Sequence, residues 1–181
     1  MFISYVVFKK AFDSIHRDAL WKSLKLYGVP QKYITIFLAL YHNTTCCIKT
    51  NNGMTEMFDI LTDVRQGCIL SSFLFLIVID FVMKKMVNGR DYGITWGSEK
   101  LADLDFADDL ALLCNTQDEL QEMTNSLQCN AAKVGLCFNT EKTKAMVVGN
   151  NTVSALTVDG TDVEHVAISS ISEAICQMMV M

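Results

Sequence analysis

The stretch from Phe106 to Cys114 most constrains the fold, because it places two adjacent carboxylates, Asp108 and Asp109, inside an apolar run, FADDLALLC. Neighbouring carboxylates repel each other and are costly to desolvate unless a cation or hydrogen-bond donors compensate. One interpretation is a hairpin turn between two buried strands, although tight two-residue turns favour Asn-Gly or Asp-Gly. The other is a metal site. This stretch alone leaves both open.

The composition predicts one domain with its own core, since 51% of the 181 residues are hydrophobic. The formal net charge is −5 and the isoelectric point about 5.1. Phosphate binding needs clustered lysine and arginine. The charge balance therefore disfavours a protein that holds nucleic acid by itself.

The cysteines and the apolar runs bear on the compartment. The chain has seven cysteines, an odd number with no C-x-x-C spacing and mostly in apolar runs, which predicts buried thiols in a reducing compartment. The most apolar run, 69–83, contains Asp80 and is shorter than the ~20 residues of a membrane span. No signal-peptide pattern precedes it. We expect an intracellular protein, nuclear or cytoplasmic, that is not secreted and does not enter a membrane.

The order of patterns along the chain predicts an α+β fold, with antiparallel hairpins between helices. Thr116 and Glu119 form a capping-box pattern that opens one helix, which ends near Gly135. Asn51, Asn52 and Gly53 predict a hairpin turn. The predicted strands span 2–8, 46–49, 57–61, 92–96, 145–148 and 156–158, and the other predicted helices span 18–27, 31–42 and 72–87.

Four stretches in this order resemble reverse transcriptases of non-LTR (LINE-type) retrotransposons. They are FKKAFDSIHRDALWKSL (8–24), VRQGCILSSFLFLIVIDFVM (64–83), LDFADDLALLC (104–114) and GLCFNTEKTKAMVVG (135–149). The resemblance covers about residues 3–149 and, more faintly, VDG at 158–160. It implies a palm domain, an antiparallel sheet packed with helices, and RNA-directed DNA polymerase chemistry.

In that family, two Mg²⁺ (or Mn²⁺) ions support an in-line phosphoryl transfer and three carboxylates hold them. The resemblance assigns two of these to Asp108 and Asp109. The third position lies four residues before Ala11, and here it is Val7. Valine has no oxygen for a hard cation. Asp13 would lie about 20 Å away if the strand stayed extended, so the sequence predicts impaired polymerisation and weakened metal binding.

The resemblance assigns three further residues to nucleotide contacts. Phe12 matches the steric gate that excludes a 2′-hydroxyl, although by itself it is equally an ordinary core aromatic. Lys142 and Lys144 match a loop in which a lysine approaches the nucleotide's phosphates, and a solvated basic turn is the alternative.

The loop before the apolar helix carries the remaining assignments. Gln66 and Gly67 match residues that contact the incoming nucleotide and the template, and Arg65 beside them suits a phosphate. A polar loop that caps a helix is the alternative. Asp63 and Ser72 stand where the family usually has glycine and proline.

The sequence thus predicts a partial reverse transcriptase palm domain at 1–164 and a divergent tail at 165–181, with no fingers before it and no thumb after it. RNA template, DNA primer and deoxynucleotides are the implied partners. The alternative is a non-catalytic retroelement remnant, either without function or binding a protein partner through exposed apolar surface. The histidines at 16, 42 and 165 are scattered, and this disfavours a metal site unrelated to polymerisation.

Overall fold

The computed structural model describes residues 1–51, 53–60, 62, 64, 69–149 and 155–166. Its helices are α1 (Ala11–Ser14), α2 (Arg17–Leu26), α3 (Gln31–Tyr41), α4 (Ile69–Val87) and α5 (Gln117–Ala132). Its strands are β1 (Phe2–Val7), β2 (Thr45–Cys46), β3 (Lys49–Thr50), β4 (Gly53–Met54), β5 (Phe58–Asp59), β6 (Ile94–Trp96), β7 (Glu99–Leu101), β8 (Asp103–Phe106), β9 (Asp109–Cys114), β10 (Lys144–Val147), β11 (Thr157–Val158), β12 (Thr161–Asp162) and β13 (Glu164–His165).

A five-stranded sheet in the order β13-β10-β1-β9-β8 forms the centre of the fold. Its middle strand, β1, is rich in β-branched and aromatic residues, which suit a pleated strand buried on both edges. It pairs antiparallel with β9 along its whole length, from Phe2 opposite Cys114 to Val7 opposite Asp109. On its other edge it pairs antiparallel with β10.

The two faces of the sheet have different environments. Phe2 and Val6 of β1 belong to the main core under the helices, with Leu110 and Leu112 of β9. Because side chains alternate along a strand, the intervening residues point to the other face. There Ile3 and Leu113 belong to a smaller apolar cluster near the Phe2 end of β1.

The helices cover the first face. Helix α5 packs on β1 and β9, α4 packs on α5, and α2 packs on α4. Asp80 of α4 ties α2 to α4, since it accepts hydrogen bonds from the Tyr27 hydroxyl and from Lys84 Nζ, the latter at 2.7 Å. Partial burial opposes its ionisation, but these two donors outweigh that effect and lower the pKa of Asp80.

The predicted helices are confirmed apart from their ends, while the hairpins differ more. Helix α4 begins at Ile69, three residues before the predicted start at Ser72. Thr116 caps α5 as predicted, with Glu119 N donating to its Oγ1 at 3.2 Å. The carboxylate of Glu119 instead accepts from the amide of Gly93 at 2.7 Å, outside its own helix. It thereby braces the segment before β6.

Two predicted strands are wrong in detail. The pair at 46–49 and 57–61 is two separate ladders, β2 with β5 and β3 with β4, and Asn52 of the predicted turn lies outside the described residues. The β7 strand that pairs with β6 was not predicted, because the segment 99–101 contains two charged residues. The sheet is also not wholly antiparallel, since β13 runs parallel to β10 at the edge.

The cysteines are only partly buried as predicted. Cys114 is buried, and burial raises the pKa of its thiol to about 12. Cys129 and Cys137 are exposed, because each lies on the solvent side of a segment whose neighbours fill the core. All five cysteines in the described part of the chain are free thiols. None of the described helices is long and apolar enough to cross a bilayer.

Replacement of Gly135 should destabilise the fold strongly. Gly135 has φ +93°, and a Cβ there would lie 2.2 Å from the carbonyl oxygen of Ser14. Gly28 has a similar φ of +73° with nothing within 4 Å of that position. We expect Gly135→Ala to lower the free energy of unfolding by at least about 3 kcal/mol and Gly28→Ala by about 1 kcal/mol, measured by urea denaturation. Equal losses would contradict the close approach at Gly135.

Candidate active site

The two aspartates lie in the hairpin that joins β8 to β9. Phe106 pairs with Asp109, so the turn between them consists of Ala107 and Asp108. Asp109 is thus the first residue of β9, and the hairpin turn consists of Ala107-Asp108 rather than of the two aspartates. Ala107 has φ +57°, in the left-handed region that favours glycine in such turns. That conformation costs about 1–2 kcal/mol for an alanine.

Position 7 is the direct neighbour of Asp109. Val7 is its Cα partner in the β1–β9 ladder, so the two side chains share one face of the sheet. This is the face opposite the main core, and Val7 is half-buried on it. Directly opposed Cβ atoms lie about 5 Å apart in an antiparallel pair.

The hairpin is electrostatically unfavourable in the absence of a cation. Desolvation by the surrounding protein and then repulsion from the neighbouring Asp108 raise the pKa of Asp109. Phe106 and Leu104 point to the same face and are each 53% exposed. The aspartates therefore stand beside open apolar surface, and neither belongs to an ion pair among the described residues.

The loop from Asn139 to Thr143 borders the site from the other edge of β1. The amide of Asn139 donates to the carbonyl oxygen of Val7 at 2.7 Å, and the amide of Val7 donates to Thr143 Oγ1 at 3.4 Å. Sequence reasoning singled out the lysines of this loop and missed these two anchors. The only feature of the sequence that could have indicated them is the motif NTEKTK. Asn139 is its first residue, and Thr143 directly precedes its last lysine.

The two lysines of that loop have different surroundings. Lys142 is exposed in the turn itself. Lys144, the first residue of β10, forms an ion pair with Glu164 and donates to the carbonyl oxygen of Glu141 at 3.0 Å. Lys142 is therefore the lysine with the freer ammonium group near Val7.

Phe12 lies against the apolar helix rather than in open space. Its ring stacks on Phe75 of α4 with the centroids 4.4 Å apart, and its carbonyl oxygen accepts from the amide of Val64 at 2.9 Å. The side chain is half-buried. Arg65, Gln66 and Gly67 lie outside the described residues.

The donor set at the hairpin is incomplete for a divalent metal. Asp108 and Asp109 supply carboxylate oxygens, and Val7 between them and the Asn139–Thr143 loop supplies none. Among the described residues, no group of three or more histidine, cysteine, aspartate or glutamate side chains has the arrangement of a metal site. The strand does not stay extended as far as Asp13, because the chain bends at Lys10 (φ +45°) into α1.

Solved structures with the same arrangement establish the fold. Telomerase from Candida albicans, in a complex with the TWJ fragment of telomeric RNA, matches with a TM-score of 0.65 and 16% identity over 90% of this chain and 29% of that one. Apo telomerase from Candida tropicalis matches with a TM-score of 0.64 and 17% identity over 90% of this chain and 31% of that one. The fold is α+β, with helices on a mixed sheet, and is compatible with a reverse transcriptase palm.

The sequence comparisons identify the family. The family model for "Reverse transcriptase (RNA-dependent DNA polymerase)" matches residues 2–168. The Pol polyprotein of the R2 element of Popillia japonica is 30% identical over 142 residues, which are 77% of this chain and 20% of that protein. Its counterpart in Nasonia vitripennis is 29% identical over 75% of this chain and 13% of that protein. The chain belongs to the reverse transcriptase family and is a reverse transcriptase domain of the non-LTR retrotransposon type.

Removal of the Asp109 charge should stabilise the metal-free protein. A carboxyl group whose pKa is raised in the folded state destabilises the fold once pH exceeds its unfolded value. We therefore expect Asp109→Asn to raise the melting temperature in EDTA at neutral pH, by less than about 4 °C because the group is partly exposed. The gain should vanish below pH 3.8, the ordinary value, where the aspartate is protonated in both states.

Asp162→Asn, at an exposed position of β12, is the matched control for that experiment. We expect it to leave the melting temperature unchanged at both pH values. An Asp109→Asn variant that is less stable than the parent at neutral pH would show that the Asp109 carboxylate is favourably bonded in the fold.

Proposed function

We propose that this chain is a retroelement reverse transcriptase domain whose ancestral activity is RNA-directed DNA polymerisation and whose own activity is impaired at Val7. The observation that carries the proposal is the pairing of Val7 with Asp109 on one face of the sheet. A carboxylate at position 7 would lie within about 5 Å of Asp109. Valine there leaves the donor set one residue short, so the magnesium or manganese site implied by the family is weakened.

The other residues have roles that follow from their positions. Asp108 and Asp109 would hold a divalent ion, and such an ion would supply activation of the attacking 3′-hydroxyl and neutralisation of the leaving pyrophosphate. Lys142, exposed beside Val7, suits the phosphates of a deoxynucleotide better than the ion-paired Lys144. Phe12, held by its stacking on Phe75, suits the steric gate, because a fixed ring excludes a 2′-hydroxyl more sharply than a mobile one.

The remaining parts of the proposal come from the resemblance. An RNA template and a DNA primer are the partners, and Arg65, Gln66 and Gly67 contact them and the nucleotide. The domain spans 1–164, with a divergent tail at 165–181. We place the protein in the nucleus or the cytoplasm.

Primer extension on an RNA template, with Mg²⁺ and with Mn²⁺, tests the proposal. We expect no incorporation above background by the chain as it stands. Val7→Asp should restore incorporation, because it supplies the missing oxygen ligand, and adding Asp108→Ala to Val7→Asp should abolish it again. Val7→Asn is the matched control, since it keeps the size of the side chain without the charge.

A thermal readout accompanies the activity assay. In EDTA we expect Val7→Asp to be destabilised by on the order of 1 kcal/mol, because a third carboxylate joins a repelling pair. Mg²⁺ should reverse that loss in Val7→Asp and leave the parent unchanged. Incorporation by the parent chain, or a Val7→Asp variant that folds yet ignores Mg²⁺, would overturn the assignment of position 7.

A second candidate function is a non-catalytic binding module, and the outer side of α4 favours it. Ile69, Phe73 and Leu76 follow one another at helical spacing and are 92%, 55% and 48% exposed. Monomeric soluble proteins rarely expose such contiguous apolar surface. The two R2 polyproteins named above are five or more times longer than the matched part, since it covers 20% of one and 13% of the other. We propose another segment of a reverse transcriptase polyprotein as the partner.

Sedimentation of the whole chain over a range of concentrations tests this surface. Without its partner, we expect the chain to self-associate, and the double variant Phe73→Ser/Leu76→Ser to sediment as a monomer. The control Met54→Ser/Trp96→Ser removes two exposed apolar side chains outside α4 and should leave the association unchanged. A parent chain that is monodisperse at every concentration would contradict the binding module.

A further inference from the structure

A second cleft, of about 920 Å³, shares no lining residue with the aspartate hairpin. Five parts of the chain meet there: the start of α2, the end of α3, β5 with the segment after it, Phe81 of α4 and the end of α5. The cleft is lined by His16, Arg17, Lys22, His42, Asp59 and Lys133, among others. These parts are far apart along the chain, so the sequence alone did not predict the cleft.

The cleft collects positive charge in a chain whose net charge is −5. Arg17, Lys22 and Lys133 line it, against two carboxylates, Asp18 and Asp59. Asp18 precedes Lys22 by four residues on α2, which places them as neighbours on the same helix surface. The fixed charge of the cleft is therefore positive, before any contribution from its histidines.

Two of the three histidines of the chain also line this cleft. They are His16 and His42, both exposed, whereas the ring nitrogens of His165 are buried. The expectation that the histidines are scattered is thus wrong for this pair. They do not make a metal centre, since the described residues contain no metal-type group of three. They do add two accessible flat rings to the cleft.

Three planar side chains pack against one another at the floor of the cleft. Trp21 and Tyr41 pack edge to face with their centroids 5.6 Å apart. The guanidinium of Arg17 lies 5.1 Å from the centroid of the Tyr41 ring, and its Nη1 donates to the Tyr41 carbonyl oxygen at 3.2 Å. This pair of contacts fixes the plane of the guanidinium, because both its ring contact and its hydrogen bond constrain it.

The walls of the cleft are tied together through the backbone. The amide of His16 donates to the carbonyl oxygen of Val134 at 2.9 Å, which joins α2 to the end of α5. His16 also forms an isolated antiparallel bridge with Thr62. A Cβ at Gly135 would lie 2.2 Å from the carbonyl oxygen of Ser14 and 2.8 Å from the His16 ring, so the chain segments approach closely at this corner. These contacts connect α2 to the end of α5 on one side of the cleft.

We propose that this cleft binds a short segment of single-stranded nucleic acid, separately from the aspartate hairpin. Its phosphates would lie against Lys22 and Lys133, and a base would stack on the Arg17 plane or on an exposed imidazole. Single-strand sites combine positive charge along the backbone with flat groups for the bases, and this cleft offers both. Its volume fits about one to three nucleotides.

An acidic peptide is a poorer match to the same surface. A peptide that binds by adding a strand to a sheet needs a free strand edge for its main chain. The lining of this cleft comes mainly from helix ends and corners, and the nearby strand β5 is only two residues long. The planar groups would also have no counterpart on an aspartate or glutamate side chain. The observations therefore favour the nucleic acid.

The histidines provide the direct test. With selectively labelled histidine, the whole chain should give three imidazole signals by NMR. We expect oligo(U) and oligo(dT) of about 12 nucleotides, added in EDTA, to shift the signals of His16 and His42 and not that of His165. RNA and DNA arms show which strand the cleft prefers. Shifts of His165 alone, or equal shifts with inorganic phosphate at the same phosphate concentration, would overturn the proposal.

Salt-dependent binding of the same oligonucleotides tests the contacts. We expect Lys22→Gln/Lys133→Gln to weaken binding by about tenfold and to reduce the slope of log K against log salt by about 1.4, since each phosphate contact on a single strand contributes about 0.7. Lys25→Gln/Lys32→Gln carries the same change of charge outside the cleft and should keep the slope. Equal losses of binding affinity in both double variants would show that only the net charge of the protein matters, and this would refute the site.

The oligonucleotide-binding experiment can fail or succeed independently of the polymerase proposal. Asp108→Ala should bind the oligonucleotides as the parent does, because the experiment contains no divalent metal and the hairpin does not line the cleft. Lys22 and Lys133 are both exposed, and melting curves of the variants establish that they fold. Loss of binding in Asp108→Ala with no effect of the cleft lysines would move the site to the hairpin and overturn this inference.

Discussion

The pairing of β1 on both of its edges is the constraint on which the rest of the structure depends. The backbone of Phe2–Val7 is bonded to β9 on one side and to β10 on the other, so its register leaves no freedom at position 7. Whatever side chain occupies that position stands beside Asp109 and in front of the Asn139–Thr143 loop. The same alternation sends Phe2 and Val6 into the core under the helices. Strand β1 therefore contributes to the core and also carries the candidate position beside Asp109.

A few residues of the hairpin destabilise the folded state. Asp109 has a raised pKa because it is partly desolvated and has Asp108 beside it, and Ala107 adopts a left-handed conformation that favours glycine. Both features destabilise the fold, and the rest of the sheet offsets them. Such local strain is expected where the arrangement of charges serves chemistry rather than stability. Valine at position 7 avoids further destabilisation, because an apolar residue on a half-buried strand is less destabilising than a third carboxylate.

Regular patterns in the sequence predicted the larger elements well and the small ones poorly. Helices α2, α3 and α5 follow from apolar spacing and from the Thr116 cap, and β1 follows from its β-branched run, because these signals are local. The charged strand β7 and the parallel edge strand β13 exist through pairing with distant segments, which no local pattern records. The aspartates were recognised from their motif, whereas the anchoring of Val7 by Asn139 and Thr143 depends on contacts across more than 130 residues of sequence.

What the sequence by itself determined is the kind of domain, from four motifs in a set order, and it also predicted an acidic pair and a valine at the position where the family has an aspartate. What only the tertiary structure decided is which of these residues meet. It brought Val7 opposite Asp109 through strand register, tied Lys144 to Glu164, and left Lys142 exposed. It also gathered His16 and His42 into one cleft with Arg17 and two lysines. The physical reason is that identity is a property of single positions, whereas proximity arises from the packing of elements far apart in the chain.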